Sequence, residues 1–257
     1  MAAVKHPRAR FITVYGRKPV LEALGDRRLV CHRLRVATGA RGDTLARILA
    51  VARERKVAVE RVPAAVVSRL SRRPNQDQGV VLDVEAPHMD DLASALAGDA
   101  PPDLYVLPDG LTTPANLGLL LRSCVAAQAA LVLPGRGVPD LGPRVIKASA
   151  GTAWRATVLR SKDAATAADT LAAHGVALVG LDAAAPASIY DGPLPSPLVW
   201  VVGGETGGIS PALADRLDQR RAIPMAPTAE SLNAAVAASI ALFETRRRRP
   251  FSPSRDG

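Results

Sequence analysis

The sequence has few cysteines and no long run of apolar residues, and both shortages exclude whole classes of protein. Its two cysteines, Cys31 and Cys124, stand far apart and show neither a C-x-x-C pair nor the His/Cys spacing of a zinc ligand set. We therefore expect neither a disulfide framework nor a bound metal. No stretch reaches the roughly 18 apolar residues of a membrane span, and the N-terminus lacks the apolar core of a signal peptide. These absences predict a cytoplasmic protein.

The 257 residues, 48% of them hydrophobic, contain no internal repeat and no long compositionally biased tract. A chain of this kind can bury one good core or two modest ones. Lys and Arg outnumber Asp and Glu by 33 to 24, which gives a formal charge of +9. This excess favours a polyanionic partner, although charge alone leaves RNA, DNA and an anionic membrane open.

The pattern of apolar residues changes along the chain and predicts two domains. Residues 11–86 combine short apolar runs with helical spacing, which is typical of a small α/β domain. Gly and Pro residues in 87–102 indicate a linker around a short helix. Between 103 and 246, apolar runs alternate with helical patterns, which predicts a mostly parallel sheet covered by helices. Residues 247–257 are expected to form a disordered tail, and the arginines at Arg246–Arg249 are interpreted as a solvated helix end rather than an RNA clamp.

Ligands of open α/β sheets bind beyond the carboxyl ends of the strands, so segments that follow predicted strands carry the functional signal. The first is TPANLGLLLRSCVAA, in which Thr113 can cap a helix that Pro114 begins. Asn116 and Gly118 lie at the helix start, and Arg122 lies in its second turn. Gly costs helix stability, which indicates a close backbone approach there. By itself, the segment is more typical of an ordinary amphipathic helix with a surface arginine.

The second segment, LVWVVGGETGGIS, is a buried strand that runs into a glycine-rich loop at residues 203–208. Such a loop lets backbone groups approach a ligand closely. A triphosphate-binding loop is disfavoured, because Ile209 and Ser210 occupy the positions where that motif needs Lys and Ser or Thr. The Rossmann fingerprint G-x-G-x-x-G is also absent, which disfavours dinucleotide binding. Glu205 either serves the site or pairs with an arginine for structure.

The third segment, AIPMAPTAESLNAAVAASIALFE, places Ile223–Met225 at the end of a predicted strand. Ser231 and Asn233 fall at the start of the last helix. Both residue types are common helix caps, and that role alone would account for either of them. Apolar residues then repeat at helical spacing at Leu232, Val236, Ile240 and Phe243.

In combination and in this order, the three segments resemble the three motifs of the SpoU family of RNA methyltransferases. The patterns are N-x-G-x-x-x-R from Asn116 to Arg122, G-x-E-x-x-G-I from Gly203 to Ile209, and I-P-M with S-L-N at 223–225 and 231–233. The segments VYGRKPVLEAL and NQDQGVV look like the substrate-binding domain of the rRNA-modifying members. KASAGTAW, near Lys147, matches an intermediate block of the family.

Two positions depart from the family pattern. Thr113 stands where Asp is usual, and Gln128 and Ala129 stand where a small residue and glycine are common. Neither change removes a residue to which we assign chemistry. They leave the RNA target open.

The resemblance implies an α/β catalytic domain whose chain forms a deep trefoil knot, with S-adenosylmethionine (AdoMet) as the cofactor and no metal. It implies that Arg122 activates a ribose 2′-hydroxyl. Because arginine is effectively always charged, we expect it to stabilise a developing alkoxide and to hold phosphate. The residues implied to orient the reacting groups are Asn116, Glu205, Ser231 and Asn233. The residues implied to hold the cofactor are Gly203, Gly204, Gly208, Ile223, Met225 and Leu232.

The resemblance also implies a homodimer whose N-terminal domains present folded RNA to the active sites. RNA of this kind is recognised through shape, phosphates and exposed loop bases. Candidate phosphate contacts, each of which could equally be a solvated surface charge, are Arg10, Arg17, Lys18, Arg72 and Arg73.

The expected activity is therefore methyl transfer from AdoMet to a ribose 2′-hydroxyl of structured RNA. A guanosine of 23S rRNA is the first expectation, a tRNA the second, and an rRNA adenosine methylated for antibiotic resistance the third. Two functions of other classes stay open. One is a non-catalytic RNA-binding or ribosome-assembly protein, and the other is a nucleotide-dependent α/β enzyme.

Overall fold

The computed structural model describes residues 10–86, 88–205, 207–249 and 251. The chain divides into two compact units. The N-terminal unit holds the described residues up to 86 together with Leu141–Pro143, and the C-terminal unit holds the others. Among the described residues, no helix has the length and apolar character needed to cross a bilayer.

The N-terminal unit is a small α/β sheet structure, as its apolar pattern predicted. Its elements are β1 (Phe11–Tyr15), α1 (Arg17–Gly25), β2 (Cys31–Ala37), α2 (Asp43–Glu54), β3 (Ala58–Val62), α3 (Ala64–Ser71) and β4 (Val80–Glu85). The strand order is β1-β4-β2-β3, with β4 antiparallel to both neighbours and β3 parallel to β2. On one face of the sheet, Val67 of α3 packs against Ala37, Val62 and Val81.

The C-terminal unit is a parallel seven-stranded sheet with helices on both faces, which confirms the predicted fold class. All six strand pairs are parallel, in the order β11-β9-β10-β6-β7-β8-β5. The strands are β5 (Met89–Asp91), β6 (Leu104–Asp109), β7 (Ala130–Pro134), β8 (Val158–Ser161), β9 (Ala177–Leu181), β10 (Leu198–Gly203) and β11 (Gln219–Arg221). The helices are α4 (Leu92–Leu96), α5 (Pro114–Ala126), α6 (Pro143–Ala148), α7 (Ala164–Ala173), α8 (Pro211–Ala214) and α9 (Ala234–Arg248), with a 3-10 turn at Thr152–Trp154.

The central strands β6 and β10 are buried on both faces, which is why their sequences are continuous apolar runs. One face is covered by α4, α7 and α8, whose leucines pack against Tyr105 and Val201. The opposite face is covered by α5 and α9. There the indole N–H of Trp200 donates a hydrogen bond of 3.0 Å to Thr245 Oγ1. The sheet therefore fixes α5 and α9, the two helices that belong to the first and third predicted site segments.

Residues 88–102 differ from the expected linker, because most of them belong to the sheet unit. The strand β5 pairs with β8 at the sheet edge. Asp91 caps α4 by accepting a hydrogen bond of 3.2 Å from the backbone N–H of Ser94, and Leu92 and Leu96 are buried. These elements have three and five residues, which is shorter than the window in which apolar periodicity is visible.

Three of the four arginines at the end of α9, Arg246, Arg248 and Arg249, are not a solvated surface, contrary to the interpretation from sequence. The side chain of Arg246 is only 8% exposed. Its guanidinium binds both carboxylate oxygens of Asp103, at 3.0 and 3.1 Å, and donates to the carbonyls of Ala127 and Gln128. Arg248 and Arg249 donate to main-chain carbonyls between residues 189 and 195. These carbonyls need donors, so α9 continues to Arg248, past the expected boundary at 246.

Glu244 adds a second reason for the helix to continue. Its carboxylate is buried and accepts hydrogen bonds from Arg247 and Arg248, at 2.7 and 2.5 Å. The hydrogen bond from Arg247 and that from Arg248 lower the pKa of Glu244 to about 2. The remainder of the expected tail, residues 252–257, lies outside the described residues.

We predict that Arg246→Ala lowers the free energy of unfolding of the C-terminal unit by about 3 kcal/mol, because two carbonyls and the Asp103 carboxylate lose their donor. The matched control is Arg216→Ala, whose ion-pair partner in the same unit, Asp169, has a side chain that is 62% exposed. That change should cost less than about 1 kcal/mol. Both tryptophans, Trp154 and Trp200, lie in this unit, so denaturant unfolding followed by tryptophan fluorescence measures the difference. Equal losses of unfolding free energy in the two variants would contradict the stabilising role of the Arg246 contacts.

Candidate active site

The site begins where the carboxyl ends of β6 and β10 lie side by side. The two strands pair so that Gly203 lies opposite Asp109, and β9 flanks β10 with Leu181 opposite Val202. From this point the chain builds the sheet outward in both directions, through β7 and β8 on one side and β9 and β11 on the other. Open α/β sheets bind their ligands at such a switch point.

The loop after β10 folds back tightly on itself. Gly204 and Gly208 exchange two backbone hydrogen bonds, of 3.1 and 3.0 Å, and Gly208 has a φ of 60°. A Cβ on Gly203 would lie 2.1 Å from the carbonyl carbon of Gly208, and one on Gly204 would lie 2.5 Å from the oxygen of Gly110. No side chain fits at these distances, so the loop requires glycine at both positions.

A cavity of about 640 Å³ opens beside this loop, which is within the size range of small-molecule sites. Glycine backbone and apolar side chains dominate its wall, a combination that suits a nucleoside ring with hydrogen-bonding edges. The sequence-predicted residues that line it are Gly203, Gly204, Glu205, Gly208, Ile223, Met225, Ser231, Leu232 and Asn233. The structure therefore brings together every residue that was expected to hold a cofactor.

Asn116, Glu205 and Asn233 form one hydrogen-bonded cluster at the edge of this cavity. Asn233 is the N-cap of α9, and its Oδ1 accepts from the backbone N–H groups of Ala235 and Val236, at 3.0 and 3.3 Å. The capping role leaves its amide nitrogen to donate to Asn116 Oδ1 at 3.1 Å and to Glu205 Oε1 at 3.0 Å. Asn116 in turn donates to the same Glu205 oxygen at 2.5 Å. Glu205 thus pairs with two amides and not with an arginine.

Gly118 has the close backbone approach that its position in a helix suggested. A Cβ there would lie 2.4 Å from the Cβ of Ala148 and 2.8 Å from the nitrogen of Ser149. Ser149 is fully buried, and its hydroxyl donates to the carbonyl of Ile146 at 2.8 Å. The KASAGTAW segment therefore packs directly on the helix that carries Asn116.

Arg122 and Ser231 stand apart from the hydrogen-bonded cluster. Arg122 is exposed on α5, and among the described residues its guanidinium has no ion pair and no hydrogen bond. Ser231 is exposed at the cavity wall, and its hydroxyl likewise has no described partner. Both side chains are therefore available to a ligand or to a second chain.

Exposed apolar side chains lie on α5, the helix that carries Arg122, and on α9, which packs against it. Leu119 on α5 is 42% exposed, and Val236 and Phe243 on α9 are 44% and 47% exposed. The buried face of α9 carries small residues, chiefly Ala234, Ala235, Ala238 and Ala241. Much of the stripe that repeats at helical spacing therefore faces outward, because alanines allow α9 to pack closely on α5 and β10.

The candidate RNA contacts divide into two places on the N-terminal unit. At one edge of its sheet, Arg17 and Lys18 begin α1, and Arg72 and Arg73 lie in the loop after α3. Arg10 lies at the opposite edge, next to the start of β1. There it pairs with Glu85 at 3.1 Å and stacks on the ring of Phe11. The structure separates Arg10 from the other four.

Sequence reasoning missed Asp109, Asp182 and Arg220. Asp109 Oδ2 accepts a hydrogen bond of 2.7 Å from the backbone N–H of Ser210 and so ties the end of β6 to the far side of the glycine loop. Asp182 and Arg220 form an ion pair of 3.0 Å in the cavity wall. Asp109 and Asp182 directly follow apolar runs, so the rule about strand ends could have found them. Arg220 had no such signal.

The strand before the third motif also differs from expectation. We expected Ile223–Met225 to end a strand. The strand β11 is instead the polar stretch Gln219–Arg221, and the apolar residues follow it. A three-residue edge strand has only one neighbour, β9, so it needs no apolar run. Ile223 and Met225 are freed to line the cavity.

Comparison with known proteins agrees with this fold and site. Residues 103–243 match the model of the SpoU rRNA methylase family, and residues 13–89 match a model described as RNA 2′-O ribose methyltransferase substrate binding. A tRNA/rRNA methyltransferase of Mycobacterium avium is 36% identical over 242 residues, which is 92% of this chain and 77% of the relative.

Solved structures give the same result. The SpoU methyltransferase AviRb from Streptomyces viridochromogenes, in complex with AdoMet, superposes with a TM-score of 0.62 and 26% identity, covering 94% of this chain and 92% of its own. An AdoMet-bound rRNA methyltransferase from Sinorhizobium meliloti superposes with a TM-score of 0.60 and 26% identity, covering 95% and 89%.

Fold and site together define an α/β protein with a small-molecule-sized cavity at the switch point of its sheet. The family match identifies which such protein it is. The chain belongs to the SpoU family of RNA methyltransferases, and the resemblance found in its motifs is confirmed.

Proposed function

We propose that the protein transfers the methyl group of AdoMet to a ribose 2′-hydroxyl of structured RNA in the cytoplasm. The observation that carries the proposal is the cluster of Asn116, Glu205 and Asn233 at the edge of the cavity, with the unpaired Arg122 on the same helix as Asn116. A binding protein that had lost catalysis would have no need to keep these polar side chains in one place.

The cavity fits AdoMet, which two of the solved relatives bind. When bound, AdoMet supplies an electrophilic methyl group on a sulfonium. Backbone groups around Gly203, Ile223 and Leu232 would hold it, and Glu205 and Gly208 would shape the loop. We include the deep trefoil knot of the family in this proposal, since residues 231–233 return against the loop at 203–208.

Arg122 has the chemistry to activate the hydroxyl electrostatically. A guanidinium keeps its proton, so it would stabilise the developing alkoxide and grip an adjacent phosphate rather than act as a base. Asn116, Glu205 and Asn233 would hold the loop and the hydroxyl in line with the methyl group, and Ser231 would add a hydroxyl at the cavity wall. Methyl transfer needs chiefly this positioning.

We further propose a homodimer in which the exposed faces of α5 and α9 of two copies meet. Leu119, Val236 and Phe243 would bury apolar surface there, and Arg122 is exposed on the same helix as Leu119. Exposed apolar patches on a folded protein commonly mark such contacts.

For the substrate, we propose 23S rRNA, with a guanosine as the target nucleotide. The description of the matching rRNA methylase model and the presence of the substrate-binding region at 13–89 support rRNA. A tRNA is the second candidate, which the name of the Mycobacterium avium relative supports. Arg17, Lys18, Arg72 and Arg73 would contact phosphates of the RNA.

We predict that Gly203→Ala abolishes AdoMet binding, because the added Cβ would collide with the backbone of Gly208 and open the loop. Gly25→Ala is the matched control, since a Cβ there meets no atom within 4 Å and Gly25 lies outside the cavity. Isothermal titration calorimetry with AdoMet should show no binding for the first variant and wild-type affinity for the second. Wild-type AdoMet affinity in Gly203→Ala would show that the loop is not part of the cofactor site.

We predict that Phe243→Asp shifts the protein from dimer to monomer, because a carboxylate would be desolvated in the apolar contact. Val59→Asp is the control, since Val59 is 43% exposed on the N-terminal unit. Sedimentation equilibrium gives the mass of each variant. A wild-type protein that sediments as a monomer would end the dimer proposal.

We predict that Arg122→Ala lowers methyl transfer by at least about 100-fold, the effect expected when a charge that stabilises the transition state is removed, while AdoMet affinity stays unchanged. The assay incubates the protein with radiolabelled AdoMet and unmodified 23S rRNA, 16S rRNA or tRNA, and maps the methylated nucleotide. Arg122→Lys, which keeps the positive charge but not the planar set of guanidinium donors, should recover only part of the activity.

Two results of this assay would contradict the proposal. Label on a base rather than a ribose would refute 2′-O transfer. No label on any RNA, together with no AdoMet binding, would favour the non-catalytic RNA-binding alternative.

A further inference from the structure

The N-terminal unit gathers three segments at one edge of its sheet. Because β1 and β2 both run antiparallel to β4, the carboxyl ends of β1 and β2 lie beside the amino end of β4. The segments at this edge are Gly16 with the first two residues of α1, and the loops 38–42 and 72–79, and we call them together the loop edge. The backbone N–H of Arg17 and the Oε1 of Gln78 form a hydrogen bond of 2.9 Å that joins two of the segments.

The loop edge carries positive charge that the unit does not neutralise. Its cationic residues are Arg17, Lys18, Arg41, Arg72 and Arg73, and none of them pairs with a carboxylate among the described residues. Several arginines elsewhere in the unit do pair with carboxylates, in the contacts Arg10–Glu85, Arg27–Glu54, Arg28–Asp26 and Arg35–Asp83. A polyanion would therefore bind at the loop edge.

Two amide side chains stand among these cations. Asn75 and Gln76 are exposed, and no hydrogen bond within the described part of the chain uses their side chains. An amide offers a donor and an acceptor side by side, which matches the edge of a nucleobase, whereas phosphate calls only for donors. Asn75 and Gln76 at this position indicate that the loop edge recognises nucleobases as well as phosphates.

The loop that presents the amides is held rigidly. Asp77, which is 4% exposed, accepts hydrogen bonds from the hydroxyls of Ser68 and Ser71, at 3.2 and 3.1 Å, and from the N–H of Gly79 at 2.8 Å. Arg72 and Gln78 both have positive φ, of 56° and 50°. A conformation that costs energy at two residues persists because these buried bonds determine it, so the loop is preorganised for a ligand.

We propose that the loop edge recognises an unpaired nucleobase of the RNA substrate. Asn75 and Gln76 bind the edge of the base, and the unpaired arginines hold the flanking phosphates. Double-stranded RNA hides its major-groove base edges in a deep, narrow groove, and its shallow minor groove is recognised mostly through shape, 2′-hydroxyls and phosphates, so amides on a loop of this kind select a single-stranded segment. The inference rests on the proposed RNA methyltransferase function and adds how that substrate is chosen.

The test measures binding of the full chain to in vitro transcribed 23S rRNA, 16S rRNA and tRNA over a range of salt concentrations, with single-stranded and fully paired RNA oligonucleotides as competitors. The double variant Asn75→Ala/Gln76→Ala should bind the preferred RNA about tenfold or more weakly, the loss expected for one base contact, with an unchanged salt slope. Both side chains are exposed and unbonded, so this change leaves the anchors of the loop in place.

Two further variants separate bases from phosphates. Arg72→Ala/Arg73→Ala should weaken binding to all the RNAs and reduce the salt slope by roughly 0.7 for each phosphate that is no longer neutralised. The matched control Arg27→Ala/Arg28→Ala removes two paired arginines outside the loop edge and should change neither affinity nor slope. AdoMet affinity should be the same in every variant.

The outcomes distinguish this inference from the function on which it rests. If the wild-type chain methylates RNA and Asn75→Ala/Gln76→Ala binds it with full affinity, base reading at the loop edge is wrong and the methyltransferase proposal stands. Competition by paired RNA as strong as by single-stranded RNA would overturn the inference in the same way. If the wild-type chain neither binds nor methylates any of the RNAs, both proposals fall.

Discussion

The side-chain amide of Asn233 uses its oxygen and its nitrogen for different partners, and much of the site depends on this arrangement. Its oxygen caps α9, so its nitrogen has to face Glu205 and Asn116. One residue thereby joins the start of the last helix, the glycine loop after β10 and the first turn of α5, which are far apart in sequence. The helix cap and the polar cluster depend on each other, because rotation of the Asn233 amide would break both sets of hydrogen bonds.

Glycines at three positions allow the short backbone distances on which the site depends. Gly203 and Gly204 let the loop fold against the backbone of Gly208 and Gly110, and Gly118 lets the KASAGTAW segment lie directly on α5. Each position brings main chain to within a distance that no side chain tolerates. The cavity is therefore bounded largely by backbone, whose geometry changes little when surface side chains are replaced.

Sequence reasoning succeeded where the physical signal was local. The buried strands β6 and β10 appear as apolar runs, and a glycine within a helix or a run of glycines after a strand usually marks a close backbone approach. It failed at β5 and β11, which lie at sheet edges and are too short to show a period. It also failed for Arg246, because a buried arginine looks like a solvated one until its partner, here Asp103, is known. The exposure of Val236 and Phe243 could not be inferred from spacing, since a helix can present an apolar stripe to its own core or to another chain.

The position of α9 also bears on when the protein becomes active during its synthesis. Asn233 completes the polar cluster from one end of this helix, while Arg246 and Arg248 fasten the other end to the start of the sheet and to the chain between 189 and 192. A nascent chain whose last helix is still inside the ribosomal exit tunnel has the strands and the glycine loop but not the cluster. The contacts of Asn233, Arg246 and Arg248 can therefore form only after α9 has left the tunnel, so the polar cluster is among the last parts of this unit to assemble.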